Sequence, residues 1–185
     1  RILFAGNIGK AQALGTVLQA AALLKARQSR ITWIMLGDGI EVNRLKAEAL
    51  KQNLDKLVFL PRVSMSEVAL YLQSADALLV HLRKDPLFSI TIPSKVQAYM
   101  RVGKPQLMAV DGDAADLVRE TGCGLVVSPE NPEELANAAE HLAAMPREVL
   151  ERMGHNAQNF YQEKLSLTKG VGQFVQIFRL VSRFS

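Results

Sequence analysis

The chain has little that would build a metal site, a disulfide framework or a membrane span. Its 185 residues contain one cysteine, Cys123, and three histidines. A single cysteine cannot form an internal disulfide, and the histidines show no metal-ligand spacing. No apolar run approaches about 18 residues, the length that a membrane-spanning helix needs, and no basic segment precedes a short apolar block of the kind that directs export. We therefore predict a soluble, cytoplasmic protein that binds no metal.

Aromatic residues are scarce as well, at 6% of the chain. The lysines and arginines are scattered instead of clustered with aromatic residues, so a stacking platform for single-stranded nucleic acid is not indicated. The net charge of +4 suits a phosphorylated ligand, an anionic membrane surface or nucleic acid, and charge alone does not choose among them. Because the basic residues are dispersed, we expect no nucleic acid partner.

Short apolar segments alternate with helical patterns along the chain. The predicted strands are 2–5, 32–36, 56–60, 76–81, 106–110 and 124–127. The predicted helices include 11–28, 40–52, 64–74, 94–102, 113–121, 147–164 and 167–181, with a further helix starting after Asn131. Continuous apolar strands that alternate with helices are typical of a parallel sheet covered on both faces. We predict a single α/β domain over residues 1–185, a doubly wound, Rossmann-like sheet of six parallel strands in the order 3-2-1-4-5-6.

Two loops that follow strands suit an anion. Gly6 and Gly9, after the first strand, let backbone N–H groups approach a ligand, and Lys10 adds a cation there. The helix that begins at Ser94 presents free N–H groups and the positive end of its dipole beside Lys95. In the predicted strand order both loops face one crevice, at the place where such sheets bind ligands. The sequence therefore favours a phosphate-bearing ligand.

Each of these signals also has a purely structural interpretation. Ser94 and Gln97 match a capping box, in which Gln97 folds back on its own helix. Glycines that follow a strand often serve turn geometry alone, and Asp38 can shape a turn. Arg62 can be a solvated surface charge. His81 has no visible carboxylate partner to orient it, so we interpret it as structural.

Other nucleotide-binding classes fit less well. The segment Gly6-Asn7-Ile8-Gly9 lacks the third glycine of the dinucleotide fingerprint G-x-G-x-x-G, and the second strand ends in Gly37-Asp38-Gly39 without an acid in the usual register. The phosphate-binding sequence G-x-x-x-x-G-K-[ST] does not occur. Asp38 keeps an NAD-linked oxidoreductase open as a competing class.

A series of motifs, each weak alone, is specific in its order and spacing. The motifs are Phe4-Ala5-Gly6-Asn7-Ile8-Gly9-Lys10, Leu36-Gly37-Asp38-Gly39, Val58-Phe59-Leu60-Pro61-Arg62-Val63, Ser74-Ala75-Asp76, Thr91-Ile92-Pro93-Ser94-Lys95 and Gly103-Lys104-Pro105. Together they resemble the C-terminal, donor-binding half of group 1 (family 4) GT-B glycosyltransferases, over nearly the whole chain. The likeness is greatest to bacterial members that transfer N-acetylated amino sugars from UDP donors in surface polysaccharide assembly.

The resemblance implies roles for particular residues. Two family glutamates that flank the central loop correspond to Ser89 and Gln97, and the Gln97 amide can hydrogen-bond a ribose. The family's diphosphate-contacting Arg and Lys fall at Asn7 and Gln12, with Lys10 as a substitute.

The resemblance also matches the loop Arg62-Val63 to the place where the family's backbone reads the nucleobase. The full predicted set of donor-binding residues is Gly6, Asn7, Gly9, Lys10, Gln12, Arg62, Val63, Ser89, Thr91, Ser94, Lys95 and Gln97. No catalytic residue is assigned.

The resemblance further implies a retaining transfer from a UDP-sugar donor, with no cofactor and no metal. The acceptor would be held by a separate N-terminal domain, absent from this chain, so we expect the isolated domain to be inactive. A lipid-linked acceptor and peripheral attachment of the parent protein at the inner membrane surface stay open. The alternatives within this architecture are a nucleotide-sugar binding module and a GT-B epimerase.

Overall fold

In a computed structural model, residues 1–181 are described, and the side chains of Gln173, Gln176, Leu180 and Val181 are outside that description. Six parallel strands form one sheet in the order β3-β2-β1-β4-β5-β6, which confirms the predicted architecture. The strands are β1 Ile2–Ala5, β2 Trp33–Leu36, β3 Leu57–Leu60, β4 Ala77–His81, β5 Gln106–Ala109 and β6 Gly124–Val127. The chain runs outward from β1 to β3 and then returns to β4, so the direction of winding reverses between β1 and β4.

Helices cover both faces of the sheet. They are α1 Gly15–Ala26, α2 Val42–Lys51, α3 Met65–Ser74, α4 Pro86–Ser89, α5 Ser94–Val102, α6 Asp113–Thr121, α7 Pro132–Ala144, α8 Arg147–Phe160 and α9 Leu167–Val181. A 3₁₀ turn, Lys10–Gln12, precedes α1, and a π-helical turn, Tyr161–Leu165, follows α8. Within residues 1–181, none of these helices is long and apolar enough to cross a membrane.

The two faces have separate cores. Side chains of α1, α2 and α7 pack on one face around Trp33 and Leu79. Side chains of α3, α5, α6 and α8 pack on the other face around Leu78 and Met108. Both faces of the central strands are therefore buried, and this explains why β1, β4 and β5 are apolar without alternation.

Local sequence signals fix several helix starts. Ser64 accepts a hydrogen bond from the Glu67 N–H, and the Glu67 carboxylate accepts one from the Ser64 N–H at 2.9 Å, so a capping box begins α3. The Asn131 side chain caps α7 by accepting a hydrogen bond from the Glu134 N–H at 3.1 Å, with Pro132 in the first helical position. These caps place the loops that precede α3 and α7.

The prediction of one continuous helix over 11–28 is wrong at its start. The Gly9 N–H donates to the Gln12 side chain at 3.1 Å and closes the 3₁₀ turn, after which Ala13 adopts a left-handed conformation with φ 43°. The α-helix therefore begins only at Gly15. The segment 82–93, for which no helix or strand is predicted, contains the short helix α4, whose first turn is capped by Asp85.

Candidate functional site

A cavity of about 570 Å³ opens at the carboxyl ends of β1, β2 and β3. It lies on the face of the sheet that carries α3 and α5. Its wall consists of Ala5, Gly6, Asn7, Leu36, Gly37, Asp38, Arg62, Val63, Ser64, Met65, Val68, Leu72, Lys95, Ala98 and Tyr99. This volume is within the range of about 300 to 1,000 Å³ that is usual for small-molecule sites. The position agrees with the crevice predicted for a doubly wound sheet.

A smaller pocket of about 110 Å³ lies at the amino-terminal side of the sheet, beside Lys25, Lys56 and Trp33. Its lysines are already bound, since Lys25 donates to the Asn53 carbonyl at 2.8 Å and Lys56 donates to a backbone carbonyl. The larger cavity is therefore the better candidate for a nucleotide-sized ligand.

Backbone atoms at the ends of neighbouring strands form the floor of the cavity and lie in close contact with one another. The Gly6 N–H donates to the Leu36 carbonyl at 2.9 Å, and the Gly37 N–H donates to the Leu60 carbonyl at 3.1 Å. A Cβ atom at Gly37 would lie 1.9 Å from the Gly6 carbonyl oxygen, and φ at Gly37 is +144°. Only glycine fits this position, because any side chain would collide with the first loop.

Tyr99 joins α5 to the end of β1. The strand β1 pairs with β4 only at Ile2 and Leu3. Beyond that point the Tyr99 hydroxyl accepts a hydrogen bond from the Ala5 N–H at 2.8 Å and donates to the Ala5 carbonyl at 3.2 Å. Burial raises the pKa of this hydroxyl, so it stays neutral. One phenol thus satisfies both backbone groups of a buried strand end and fixes α5 beside the cavity.

We predict that Tyr99→Phe lowers the free energy of unfolding by about 1 to 3 kcal/mol, because it leaves the buried Ala5 N–H without a partner. Urea denaturation measures the effect. Tyr71→Phe is the matched control, since the Tyr71 hydroxyl makes no hydrogen bond within the described residues. Equal effects of the two substitutions would contradict this role of Tyr99.

Lys95 reaches the cavity from the first turn of α5. Its Nζ atom is enclosed and has no hydrogen-bond partner among the described residues. Nζ lies 3.7 Å from the centre of the Phe4 ring. A Cβ atom built on Gly6 would lie 3.2 Å from Nζ. Burial lowers the pKa of Lys95 to about 7. The ring favours the charged amine, but desolvation outweighs it because no carboxylate among residues 1–181 is ion-paired to Lys95.

Arg62 and Val63 form the opposite wall, in the loop between β3 and α3. Arg62 is exposed, so its guanidinium is hydrated. Hydrogen bonds from Ser64 lower the pKa of Glu67, which stays ionised and holds the start of α3. The loop therefore presents the exposed guanidinium of Arg62 beside a helix start that is held by its capping box.

The start of α5 differs from the prediction. Pro93, not Ser94, is the N-cap, and no side chain caps the helix. The capping box that pairs Ser94 with Gln97 does not form, so this interpretation is wrong. The reason is geometric: Pro93 has extended backbone angles, and Ser94 is already the first helical residue. The N-terminal N–H groups of α5 thus lack a side-chain partner.

The glycine-rich turn after β1 divides the predicted residues between two places. Gly6 and Asn7 line the cavity, whereas Gly9, Lys10 and Gln12 belong to the 3₁₀ turn outside its wall.

His81 anchors this turn from β4. Its Nδ1 lies 2.8 Å from the Gln12 carbonyl oxygen, which can only accept, so Nδ1 carries the proton. Burial lowers the pKa of His81 to about 4, so the ring is neutral. These contacts agree with a structural role for His81.

Ser89 and Thr91 lie in and just after α4, also outside the cavity wall. The Ser89 hydroxyl donates to the Pro86 carbonyl at 2.7 Å, and the Thr91 hydroxyl is 3.3 Å from the Leu87 carbonyl. A Cβ atom at Gly112 would lie 1.8 Å from the Ser89 carbonyl oxygen, so this segment packs against the start of α6. Both hydroxyls serve local structure here.

The family model for glycosyl transferases group 1 matches residues 1–160. The chain belongs to this family. This glycosyltransferase domain is 31% identical, over 176 residues, to the probable glycosyltransferase WbjE of Pseudomonas aeruginosa, with 90% of the chain and 42% of WbjE covered. It is 26% identical over 183 residues to WcaI of Escherichia coli strain K12, a protein named for colanic acid biosynthesis, with 96% of the chain and 42% of WcaI covered.

The fold of the glycosyltransferase domain is also found in solved structures. HepE of Anabaena, crystallised in complex with UDP, superposes with a TM-score of 0.82 at 17% identity, with 96% of the chain and 48% of HepE covered. At this identity the likeness shows the fold, a Rossmann-like half of a GT-B protein. The domain spans less than half the length of each of these relatives.

The structure brings a subset of the predicted donor residues of the glycosyltransferase domain to one cavity. Those at its wall are Gly6, Asn7, Arg62, Val63 and Lys95; those outside it are Gly9, Lys10, Gln12, Ser89, Thr91, Ser94 and Gln97. Whether any of them contacts a donor stays a prediction.

Sequence reasoning did not include Ala98 and Tyr99 in the site, although both line the cavity. Helical periodicity could have found them, because positions 95, 98 and 99 share one helix face. Gln97 is exposed and points away from that face.

Proposed function

We propose that this domain binds a UDP-sugar in the cavity between α3 and α5 and is the donor half of a bacterial glycosyltransferase. The observation that carries the proposal is the cavity itself. It lies at the carboxyl ends of β1, β2 and β3 and combines the cations Lys95 and Arg62 with close-packed backbone at Gly6. A site of this kind suits a ligand that has a planar base and a charged diphosphate.

The geometry supports an orientation for the ligand. In the proposed orientation the base contacts the Arg62-Val63 loop, which lines the β3 side of the cavity. The diphosphate contacts Lys95 and the start of α5, which lacks a side-chain cap. The Lys95 ammonium and the N–H groups at the start of α5 would stabilise a departing nucleotide diphosphate when the glycosidic bond to the donor sugar breaks.

Two further features of the activity belong to the proposal. We propose a retaining transfer within surface polysaccharide or glycoconjugate biosynthesis, supported by the group 1 family match and by the name of WcaI. We also propose that the acceptor is held by another part of the parent protein, because the matched relatives are more than twice as long as this chain. No metal or cofactor is part of this proposal.

Ligand titration of the purified chain tests the proposal. We expect UDP-N-acetylglucosamine or UDP, at about ten times its dissociation constant, to raise the melting temperature by about 3 to 6 °C. NAD and GDP at the same concentrations serve as comparators for the oxidoreductase alternative and for base selectivity. Stabilisation by NAD without stabilisation by UDP would contradict the proposal.

A further inference from the structure

The enclosed amine of Lys95 is an unusual group to find at a cavity wall. A lysine amine is normally hydrated or ion-paired, because its charge is costly to bury without a partner. Here Nζ is enclosed, has no hydrogen-bond partner within residues 1–181, and lies over the Phe4 ring at the mouth of the Gly6 loop. The aliphatic stem of Lys95 and Ala98 line the same cavity. The amine is therefore close to any anion that binds in the cavity.

The other ionisable groups around the cavity are engaged elsewhere. The Asp38 carboxylate accepts a hydrogen bond from the Gly39 N–H at 2.7 Å and is exposed. Glu67, on α3, is bound to Ser64. The Tyr99 hydroxyl is neutral and is hydrogen-bonded to both backbone groups of Ala5. Arg62 is a cation and supplies no counter-charge. No neighbouring group in the described part of the chain therefore holds Lys95 in its charged form.

We propose that Lys95 takes up one proton from solvent when the anionic diphosphate of a donor enters this cavity. The proposal rests on the proposed donor function and adds a proton linkage to it. An anion within contact distance supplies the counter-charge that the cavity wall lacks, and it favours the ammonium form. Donor affinity then depends on pH through the fraction of Lys95 that is already charged before binding.

The direction of the pH effect follows from the lowered pKa. Burial brings the pKa of free Lys95 to about 7, so the amine is charged below that pH and neutral above it. If only the charged form binds the diphosphate, affinity falls about tenfold for each pH unit above about pH 7. Lys95→Arg removes this dependence, because a guanidinium stays charged across the range.

Isothermal titration calorimetry with UDP-N-acetylglucosamine tests the proposal. The sugar ester is preferred to UDP, whose terminal phosphate titrates near about pH 6. Titrations at about pH 8, in HEPES and in Tris buffers that differ in ionisation enthalpy and contain no phosphate that could compete for the site, give the number of protons bound with the ligand. We expect about 0.9 proton per bound ligand for the unmodified chain and none for Lys95→Arg. Lys46→Arg, at an exposed position on α2, is the matched control and should keep the full uptake.

The outcomes separate this inference from the proposed function. Binding without proton uptake by the unmodified chain, or uptake that persists in Lys95→Arg, overturns the role of Lys95 and leaves donor binding intact. Absence of binding to UDP-sugar and to UDP rejects the proposed function and the inference together. If Lys95→Arg fails to fold, a ¹³C-detected titration of the Lys95 ε-carbon with and without ligand decides: a pKa that does not rise on binding overturns the proposal.

Discussion

Gly37→Ala is expected to lower the free energy of unfolding by about 2 to 6 kcal/mol. The new methyl group would lie 1.9 Å from the Gly6 carbonyl oxygen, and the backbone at this position has φ +144°. Two costs therefore add, a strained backbone conformation and a collision between two backbone segments that hydrogen-bond side by side. Since domains of this size are stable by only about 5 to 15 kcal/mol, the variant should unfold at low urea concentration.

Gly15→Ala is the control for this substitution. Gly15 is the first residue of α1, and a Cβ atom there meets nothing within 4 Å. We expect its effect to be within about 1 kcal/mol, and favourable in sign, because alanine loses less backbone entropy in a helix. Chemical denaturation of both variants gives the comparison. A Gly37→Ala variant as stable as Gly15→Ala would show that the loops after β1 and β2 are not in close backbone contact.

Lys95→Met is expected to raise the free energy of unfolding by about 2 to 4 kcal/mol at pH near 7. Methionine has a similar length and no charge to desolvate. In the native chain, burial lowers the Lys95 pKa from 10.5 to about 7, so the folded state disfavours the ammonium that the unfolded chain carries. The contact between the Lys95 amine and the Phe4 ring offsets part of this cost, so the expected gain is smaller than the pKa shift alone would give.

The increase in the free energy of unfolding caused by Lys95→Met depends on pH. Below a pH of about 7 both states of the native chain carry the proton, and the full cost of burying the charge is present. Between about 7 and 10.5 the unfolded state binds more protons than the folded state, so native stability rises with pH. The advantage of Lys95→Met should therefore shrink as the pH approaches 10.5. Urea denaturation at several pH values measures this, with Lys46→Met as the exposed control.

An unchanged stability of Lys95→Met at neutral pH would contradict the burial of this amine. A large gain together with weaker donor binding would instead show that the chain retains a destabilising lysine for its ligand. Such a trade between stability and function is common at binding sites, where groups are held ready for a partner that the protein alone does not supply.

The architecture was predictable because local signals and apolar patterning agree. The short apolar runs and the intervening helices predict a parallel sheet, and the caps at Ser64 and Asn131 are recognisable as residue types at fixed spacing. The position of the ligand crevice then follows from strand order alone. Gly6 and Lys95, chosen from the sequence, both line the cavity.

The rest of the site depends on contacts that sequence spacing does not encode. The turn at Gln12 is held by His81, 69 positions later in the chain. Tyr99 has the pattern of a core residue, and its bond to the Ala5 backbone is visible only in three dimensions. The spacing of the family motif predicts Gln97 as a donor-binding residue. In the structure the next residue of α5, Ala98, lines the cavity instead.

Amide chemical-shift mapping can show whether the cavity between α3 and α5 is the donor site. We would titrate ¹⁵N-labelled chain with UDP-N-acetylglucosamine and follow the amides of Gly6, Gly37, Val63 and Ala98, which line the cavity. We expect saturable shifts at these four positions and little change at Asn53 and Leu54, beside the smaller pocket. Shifts confined to Asn53 and Leu54, or no shifts at saturating ligand, would contradict this placement of the donor site.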